Sequence, residues 1–513
     1  MARFMKPQKD PEQMSLLPAN IEDVLPLDNM VYKLKHVMKQ IDYSELESTY
    51  SIDGRPAYHP SVMMSLLVYS YIDSTRGSRK IEEHCKYDMR YIYLCDNFKP
   101  DHNTIARFRS NKKSALLELF AQTLLLCVKE GLVKANCIAV DGSKFEANAS
   151  RKNLYGKEEV ELARKAAARM IAEAEAIDEA EDKEAQEKKA ELQRKAEVCE
   201  KKASQAERLL EETGKNKVSL SDPESRTMKT SNGIRACYNA QVAVDTESGV
   251  ILSAYLTNAE NDHQQLPETL KNIEKILGRY PDMVLADTGY SDDVNFGFVR
   301  ENGINALIPV QIHKSAKNKE NDPYNTKNFI YDEERDVMVC PAGKYLTFRK
   351  TVIRSNGRLY LEYMKTGCKG CEHCELCCKS EPTRRKVCLS LEHKYRDDMT
   401  RRMSLPENKK VFSKRKETIE PTFGDFKRNR NLRMFNLKGL EGATCELLVM
   451  CIAHNLRKLA SCACFQLFLP YFRVCKPSKY RVQEAFTRIM QIFGLAVGFM
   501  PEFGQRTTFE CSQ

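Results

Sequence analysis

The sequence predicts an α/β fold: a mixed sheet flanked by helices, preceded by an all-helical domain and interrupted by two segments of different composition. Three observations carry this. Short apolar runs at 137–140, 250–256 and 283–286 read as buried strands, and two of them are followed at once by an acid, Asp141 and Asp287. Between residues 59 and 109 the apolar period is helical instead. Residues 158–213 are rich in Ala, Glu and Lys and contain no Gly or Pro, a long-helix composition.

With 513 residues the chain has room for two to four domains and a large core. The net charge of +10 suits a polyanionic partner. Nineteen Cys is an odd number, and the Met-Ala-Arg-Phe start does not read as a secretory signal, so a reducing cytoplasm is the expected compartment. The late apolar run 489–500 is broken by Gln491 and is too short to span a bilayer, so a soluble protein with no membrane partner is expected.

The elements follow in order. After a polar start, 30–41 turns helical. Met63, Leu66, Leu67 and Tyr71 keep a helical period, Ser78–His84 opens a second helix, and Asp101 caps a basic third one. Arg76, Arg79, Lys80, Arg107 and Arg109 are expected on its surface, where they could meet a DNA backbone as in a helix-turn-helix variant. Helices that only pack on a neighbouring domain would look the same. The run 137–140 then reads as a core strand ending in Asp141-Gly142, a rigid and open place for a metal ligand, although Asp-Gly is also an ordinary turn.

The stretch 158–213 reads as one or two long helices, with a mechanical or self-associating role. Residues 238–245 and 250–256 around Glu247-Ser248-Gly249 read as a hairpin, and Asn261 to Gln264 lead into a helix reaching Leu277. The strand 283–286 ends in Asp287, and 304–310 reads as another strand.

Residues 311–395 differ in composition and hold Cys340, Cys368, Cys371, Cys374, Cys377 and Cys378. Cys368-x2-Cys371 with Cys377 and the distant Cys340 forms a candidate four-thiolate structural zinc site; Cys374, Cys378 and His373 compete for the same places. Four sulfurs leave no position for water, so such a site would hold the fold without catalysing.

From 409 to 433 nine Lys or Arg face three acids. Phe412, Ile419, Phe423 and Phe426 make one helical stripe, and Glu420 lies seven residues before Lys427. Pro421 predicts a kink or a fresh helix start at Glu420. The order of elements can bring Asp141, Asp287 and Glu420 together. Hard carboxylate oxygens select Mg²⁺ or Mn²⁺, and two such ions suit an in-line phosphoryl displacement. Glu417 is the rival of Glu420, while Asp245, Asp262, His263 and Asp292 are bystanders or supporting partners.

Four blocks, DGSKFEANAS at 141–150, SDPESRTMKT with YNAQVAVD at 221–245, LADTGYSD at 285–292 and RKETIEPTFGDFK at 415–427, resemble those of DDE transposases from bacterial insertion sequences. The resemblance is to a subgroup with a Cys-rich insertion before its third acid, and HPSVMMSLLVYSYIDSTRGSRKIE is similar to its amino-terminal helical domain. It spans roughly residues 50 to 460. It implies a ribonuclease H-like catalytic core with Asp141, Asp287 and Glu420 as the metal-binding acids, and Lys427 on the transposon end. Where the family often carries Tyr and Arg before its Glu, this chain has Ser413 and Lys416.

The implied organisation is a segment 1–50, a helical DNA-binding domain 51–130, a catalytic domain 131–460 interrupted at 156–214 and 311–395, and a tail 461–513. The implied function is binding of the element's terminal inverted repeats, two-metal-ion cleavage, and transfer of the 3′-hydroxyl ends to target DNA. A homodimer or larger synaptic complex in the bacterial cytoplasm, at the nucleoid, is expected. Lys416, Lys427, Arg428, Arg430, Arg107 and Arg109 are the expected DNA contacts. The alternative is an inactive, DNA-binding relic of a transposase.

Overall fold

The computed structural model describes residues 25–26, 28–51, 56–110, 112–177, 183–310, 322–353, 359–368, 371–378, 384–390 and 392–462. The readings on the first 24 residues and on the apolar tail after Cys462 fall outside these. The chain divides into units 1–459 and 460–513; among the described residues the strands lie in the first.

Helices Met30–Met38, Pro60–Ile72, Ser78–Tyr87, His102–Arg109 and Lys113–Lys129 form the amino-terminal part. Pro60–Ile72 is its centre: Pro60 starts it, and residues from Val62 to Tyr71 are buried on every side. Asp101 caps His102–Arg109 by accepting from the Asn103 and Thr104 backbone at 2.8 and 2.9 Å.

The main sheet is built on β1 (Cys137–Glu146). A small pair, β2 (Leu154–Gly156) and β3 (Lys217–Ser219), forms the base of a helical hairpin, Lys157–Glu175 and Lys183–Thr213. The hairpin closes on a narrow stripe of Val160, Ala203, Ala206 and Leu210 against Val218, with Arg164 reaching Glu207 at 2.6 Å. The chain returns through β4 (Arg226–Thr230), β5 (Gly233–Asp245), β6 (Ile251–Thr257), β7 (Met283–Ala286) and β8 (Ala306–Leu307). The strand order is β4-β5-β1-β7-β8, with β6 also on β5. β5 runs antiparallel to β1, β4 and β6, whereas β7 is parallel to β1 and β8 parallel to β7.

Two readings change. The strand with Asp141 does not end there: β1 continues to Glu146, because β5 is long enough to pair with it from Cys237 to Asp245. The strand expected over 304–310 shortens to Ala306–Leu307.

Residues 330–390 form a second, antiparallel sheet that composition did not announce: β9 (Ile330–Asp332), β10 (Val337–Val339), β11 (Tyr345–Ile353), β12 (Leu359–Thr366) and β13 (Arg384–Ser390), in sequential order. Phe329, Met338, Leu346, Tyr363 and Val387 are its core.

Helices Leu266–Leu277, Asp293–Glu301, His393–Ser404, Pro406–Gly424 and Gly439–Ala460 complete the fold. The last is buried along most of its length, and Asn455 bonds both the N–H and the carbonyl of Ile251 at 2.8 Å. Among the described residues no helix is long and apolar enough to cross a membrane.

The amino-terminal helices are joined to the segment that follows Pro406–Gly424 by buried cations, which corrects the surface expected for them. Arg76 is 9 % exposed and reaches Glu446 at 2.6 Å and the Met434 carbonyl at 2.6 Å. Arg109 is buried and donates to the Arg76 carbonyl at 2.7 Å. Arg430, 1 % exposed, donates to Asp425 at 2.8 Å and to the Tyr71 carbonyl at 2.9 Å. Burying guanidinium groups is tolerable only with such acceptors. Arg109 and Arg430 therefore hold the fold together and leave the set expected on DNA.

Candidate active site

β1 and β7 are paired in parallel with Val140 opposite Ala286, so Asp141 and Asp287 are the next residues on adjacent strands. Their environments differ. β7 stops at Ala286, and Asp287 caps a short 3₁₀ turn by accepting from Gly289 N at 2.7 Å. Asp141 sits inside β1, opposite Val242 of β5. Burial pushes its carboxyl up to about 6; the Arg415 guanidinium opposes this and the Asp287 charge adds to it. Asp287 is raised by burial as well, with Gly289 N and Arg415 opposing and the Asp262 charge adding. Two half-buried carboxylates side by side call for a cation.

In this structure the cation is Arg415, whose Nη1 lies 2.9 Å from Asp141 Oδ2. Arg415 is on Pro406–Gly424, the helix that carries Glu420. Arg415, Ile419, Thr422 and Phe423 are its buried residues, and Phe423 packs on Phe145 of β1 with ring centroids 6.2 Å apart. Pro421 does not restart this helix: it lies inside it, and the helix runs through to Gly424 and then widens into a π-turn, Asp425–Asn429. The lost bond falls on the exposed side of the helix, where water can satisfy the freed carbonyl. Beyond the π-turn the chain returns to β1: Glu146 N donates to Arg433 O at 3.0 Å, and Phe435 N to Glu146 O at 2.9 Å.

Glu420 is exposed, and among the described residues no ion pair or hydrogen bond joins it to Asp141 or Asp287. Helical geometry still separates it from Glu417, which is exposed too. Glu420 is about 60° around the helix from Phe423, the residue on β1, and Glu417 about 120°. Lys427 is half-buried; its Nζ donates to Ser143 Oγ at 2.6 Å and lies over the Phe145 ring at 4.7 Å. Lys409, Lys410, Lys414, Lys416, Arg428 and Arg433 are exposed along the same segment, and Arg107 is exposed on the amino-terminal part.

Two of the four bystander residues, Asp245 and Asp292, have structural tasks. Asp245 accepts from Ser248 in the β5–β6 turn, and Asp292 caps Asp293–Glu301 and accepts from Gln264 N, with His263 at 3.6 Å from it. Asp262 is different: it lies against Gly142 and Gly289, beside the two candidate acids. Sequence reasoning named it but missed its place, and counted Arg415 only as one cation of many. The sole available signal was that each acid is followed closely by a glycine.

Cys340, Cys368, Cys371, Cys374, Cys377 and Cys378 line one cavity of about 30 Å³, with Tyr324, His373 and Arg385 on its wall. That is room for about one water-sized body. Burial pushes the Cys377 and Cys378 thiols up, and the neighbouring thiols add to it. Among the described residues no three His, Cys, Asp or Glu stand close enough to hold a metal as they are.

Residues 339–460 match the family described as Transposase DDE domain, and residues 19–111 the family described as Transposase domain (DUF772). The first match includes Glu420, Lys427 and the six cavity cysteines, and starts after Asp141 and Asp287. No curated protein and no solved structure matches the chain.

Proposed function

We infer that this chain, whose residues 19–111 and 339–460 match transposase domain families, is a DDE transposase of an insertion sequence that acts on DNA. The proposal is that Asp141, Asp287 and Glu420 are the acids of a DNA-cleaving and strand-transferring site. It would bind the element's terminal inverted repeats, cut there and join the freed 3′-hydroxyls to target DNA. The observation that carries this is the parallel pairing of β1 with β7, after which Asp141 within β1 and Asp287 just beyond the end of β7 follow side by side, with the helix that bears Glu420 packed on β1. The strand order and directions support a ribonuclease H-like reading of the main sheet.

The donor set suits Mg²⁺ or Mn²⁺: hard carboxylate oxygens, with Asp141 and Asp287 pushed up by burial, one held within β1 and the other by the turn after β7. Bound there, divalent ions would stabilise charge on the oxygens of an in-line phosphoryl transfer. The chain's own part is to fix Asp141 through β1, to fix Asp287 through its turn, and to withdraw Arg415 from Asp141. Glu420 would turn inward on the helix as Arg415 leaves. Lys416, Arg428 and the exposed lysines would grip phosphates, and Lys427 would exchange Ser143 for a phosphate near the cut. Two ends must be processed together, which favours a dimer or larger synaptic complex.

The test compares Glu420→Gln with Glu417→Gln in Mg²⁺-dependent cleavage of a duplex carrying the element's end. Glu420→Gln should lose at least about a hundredfold in rate with end binding intact, whereas Glu417→Gln should stay within about threefold. The reverse order would move the third acid to Glu417. Binding without cleavage by the wild type would favour the inactive relic, a reading that the outward Glu420 and the Arg415–Asp141 pair support.

The cysteine cavity is proposed to take one structural Zn²⁺, with four of its six sulfurs as ligands. Purified protein should carry about one zinc per chain, and stripping it should lower the melting temperature. Metal-free protein of unchanged stability would remove zinc from the proposal.

A further inference from the structure

The second sheet, β9 to β13, has two unlike faces. Residues opposite each other on neighbouring strands point to the same side, and along each strand the sides alternate. Leu346, Tyr363 and Val387 mark the side that packs as core. The register gives the other side: Thr347, Met364 and Lys386 form one row across β11, β12 and β13, and Lys350, Glu362 and Cys388 the next. Arg384 shares this side, two residues before Lys386 on β13. The pairing of β11 with β12 shifts between Phe348 and Lys350. A bulge of this kind adds one residue to a strand and re-aims its side chain. Here that residue is Arg349, whose Nη1 lies 3.3 Å from Met364 Sδ and 3.7 Å from Glu362 Oε1. Two successive cations, Arg349 and Lys350, therefore stand on a face where a regular strand would show one.

Charge is sorted across this sheet. Over β11, β12 and β13 the outer face carries four cations, Arg349, Lys350, Arg384 and Lys386, all exposed, against one acid, Glu362, which lies beside Arg349. Asp332, Glu333, Glu334 and Asp336 gather instead at the opposite edge, in β9 and the turn to β10. Crowding like charges on one open face costs repulsion, which a polyanion lying on that face would relieve. The face also leads toward the candidate acids. Ser390, on the same side of β13, donates to Asp293 Oδ1 at 3.0 Å, on the helix that follows the Asp287 turn. The chain then runs through His393–Ser404 into Pro406–Gly424, where Lys409, Lys410, Lys414 and Lys416 are exposed.

We propose that the outer face of β11, β12 and β13 is a docking surface for duplex DNA, holding its phosphates away from the point of cleavage. It takes DNA as the partner from the transposase reading, but needs none of the candidate acids. It gives the Cys-rich insertion a task of its own: the cysteine cavity lies against the core side of the sheet, where Leu346 lines it, and the opposite side meets the phosphates. Phosphate contacts of this kind position a duplex without reading its sequence.

The test is binding of the full chain to a labelled duplex of arbitrary sequence, over a range of salt and in EDTA, so that cleavage plays no part. Lys350→Gln, Arg384→Gln and Lys386→Gln are combined, and Arg349 is kept because it faces Glu362. The triple variant should flatten the slope of log affinity against log salt by about 3, and lose at least about tenfold in affinity at about 0.1 M salt. If it melts low, Lys350→Gln with Arg384→Gln should flatten the slope by about 2. As a control, Lys183, Lys188, Arg194 and Lys201, exposed on the helical hairpin, are changed together to Gln and should leave the slope unchanged. An unchanged slope in the triple variant, or equal flattening in the control, would overturn the inference while the wild type still binds DNA. An unchanged slope with a smaller mass on size exclusion would give the face to a second copy of the chain instead. A wild type that binds no duplex at low salt would overturn both this inference and the DNA reading.

Discussion

Asp141→Asn should cut metal-dependent cleavage of a duplex carrying the element's end by about a thousandfold or more, equivalent to about 4 kcal/mol in the barrier. An amide of the same shape keeps the β1 backbone and one acceptor for Arg415, so the loss is of charge and not of fold. Asp141 is the central acid of the arrangement: Arg415 bonds it, the Asp287 charge acts on it, and Asp262 lies over the next residue. The measurement is single-turnover cleavage in Mg²⁺ beside end binding in its absence. End binding should be unchanged or tighter, since one negative charge leaves a DNA-facing site. A mutant that cleaves within tenfold of the wild type would show that catalysis lies elsewhere.

The second large effect is on stability. Glu446→Ala should destabilise the protein by about 3–5 kcal/mol, the cost of leaving a buried guanidinium without its carboxylate. Glu446 is fully buried; it accepts from Arg76 at 2.6 Å and from the Asn436 backbone at 2.7 Å. Its removal would release the amino-terminal helices from the 431–437 segment, which also returns to β1 through Glu146. The check is urea unfolding followed by limited proteolysis. Glu446→Ala should open cleavage sites around 73–77 and 429–437, whereas Glu446→Gln, which keeps most of the hydrogen bonds, should open fewer. If Glu446→Ala unfolds at the wild-type urea concentration, the ion pair does not join the two parts.

This clamp has a consequence for the acids. Ser74, Arg76 and Arg430 tie the turn after Pro60–Ile72 to residues 429–434, immediately beyond the helix that bears Glu420. Arg415 and Glu420 share the helix, so a small rotation that frees Asp141 from Arg415 would bring Glu420 nearer the strands.

Local sequence determined a good deal here. The strand runs 137–140 and 283–286, the hairpin, the Leu266–Leu277 helix and the two-helix insertion are written in periodicity and composition, because burial on one face leaves a local pattern. Asp141 and Asp287 stand out as candidate acids for the same reason, each following an apolar run. The likeness to transposases was legible from the order of its blocks, and residues 19–111 and 339–460 match transposase domain families. What tertiary structure alone decided is where charges end up. Arg109 and Arg430 look like any surface cation in the sequence, and are buried because distant carbonyls and Asp425 receive them. Arg415 opposes Asp141 across 274 residues. Asp262 lies against Gly142 and Gly289, with Asn239 and Gln241 of β5 donating to it. Such partners are set by packing between distant segments, and no local period records them.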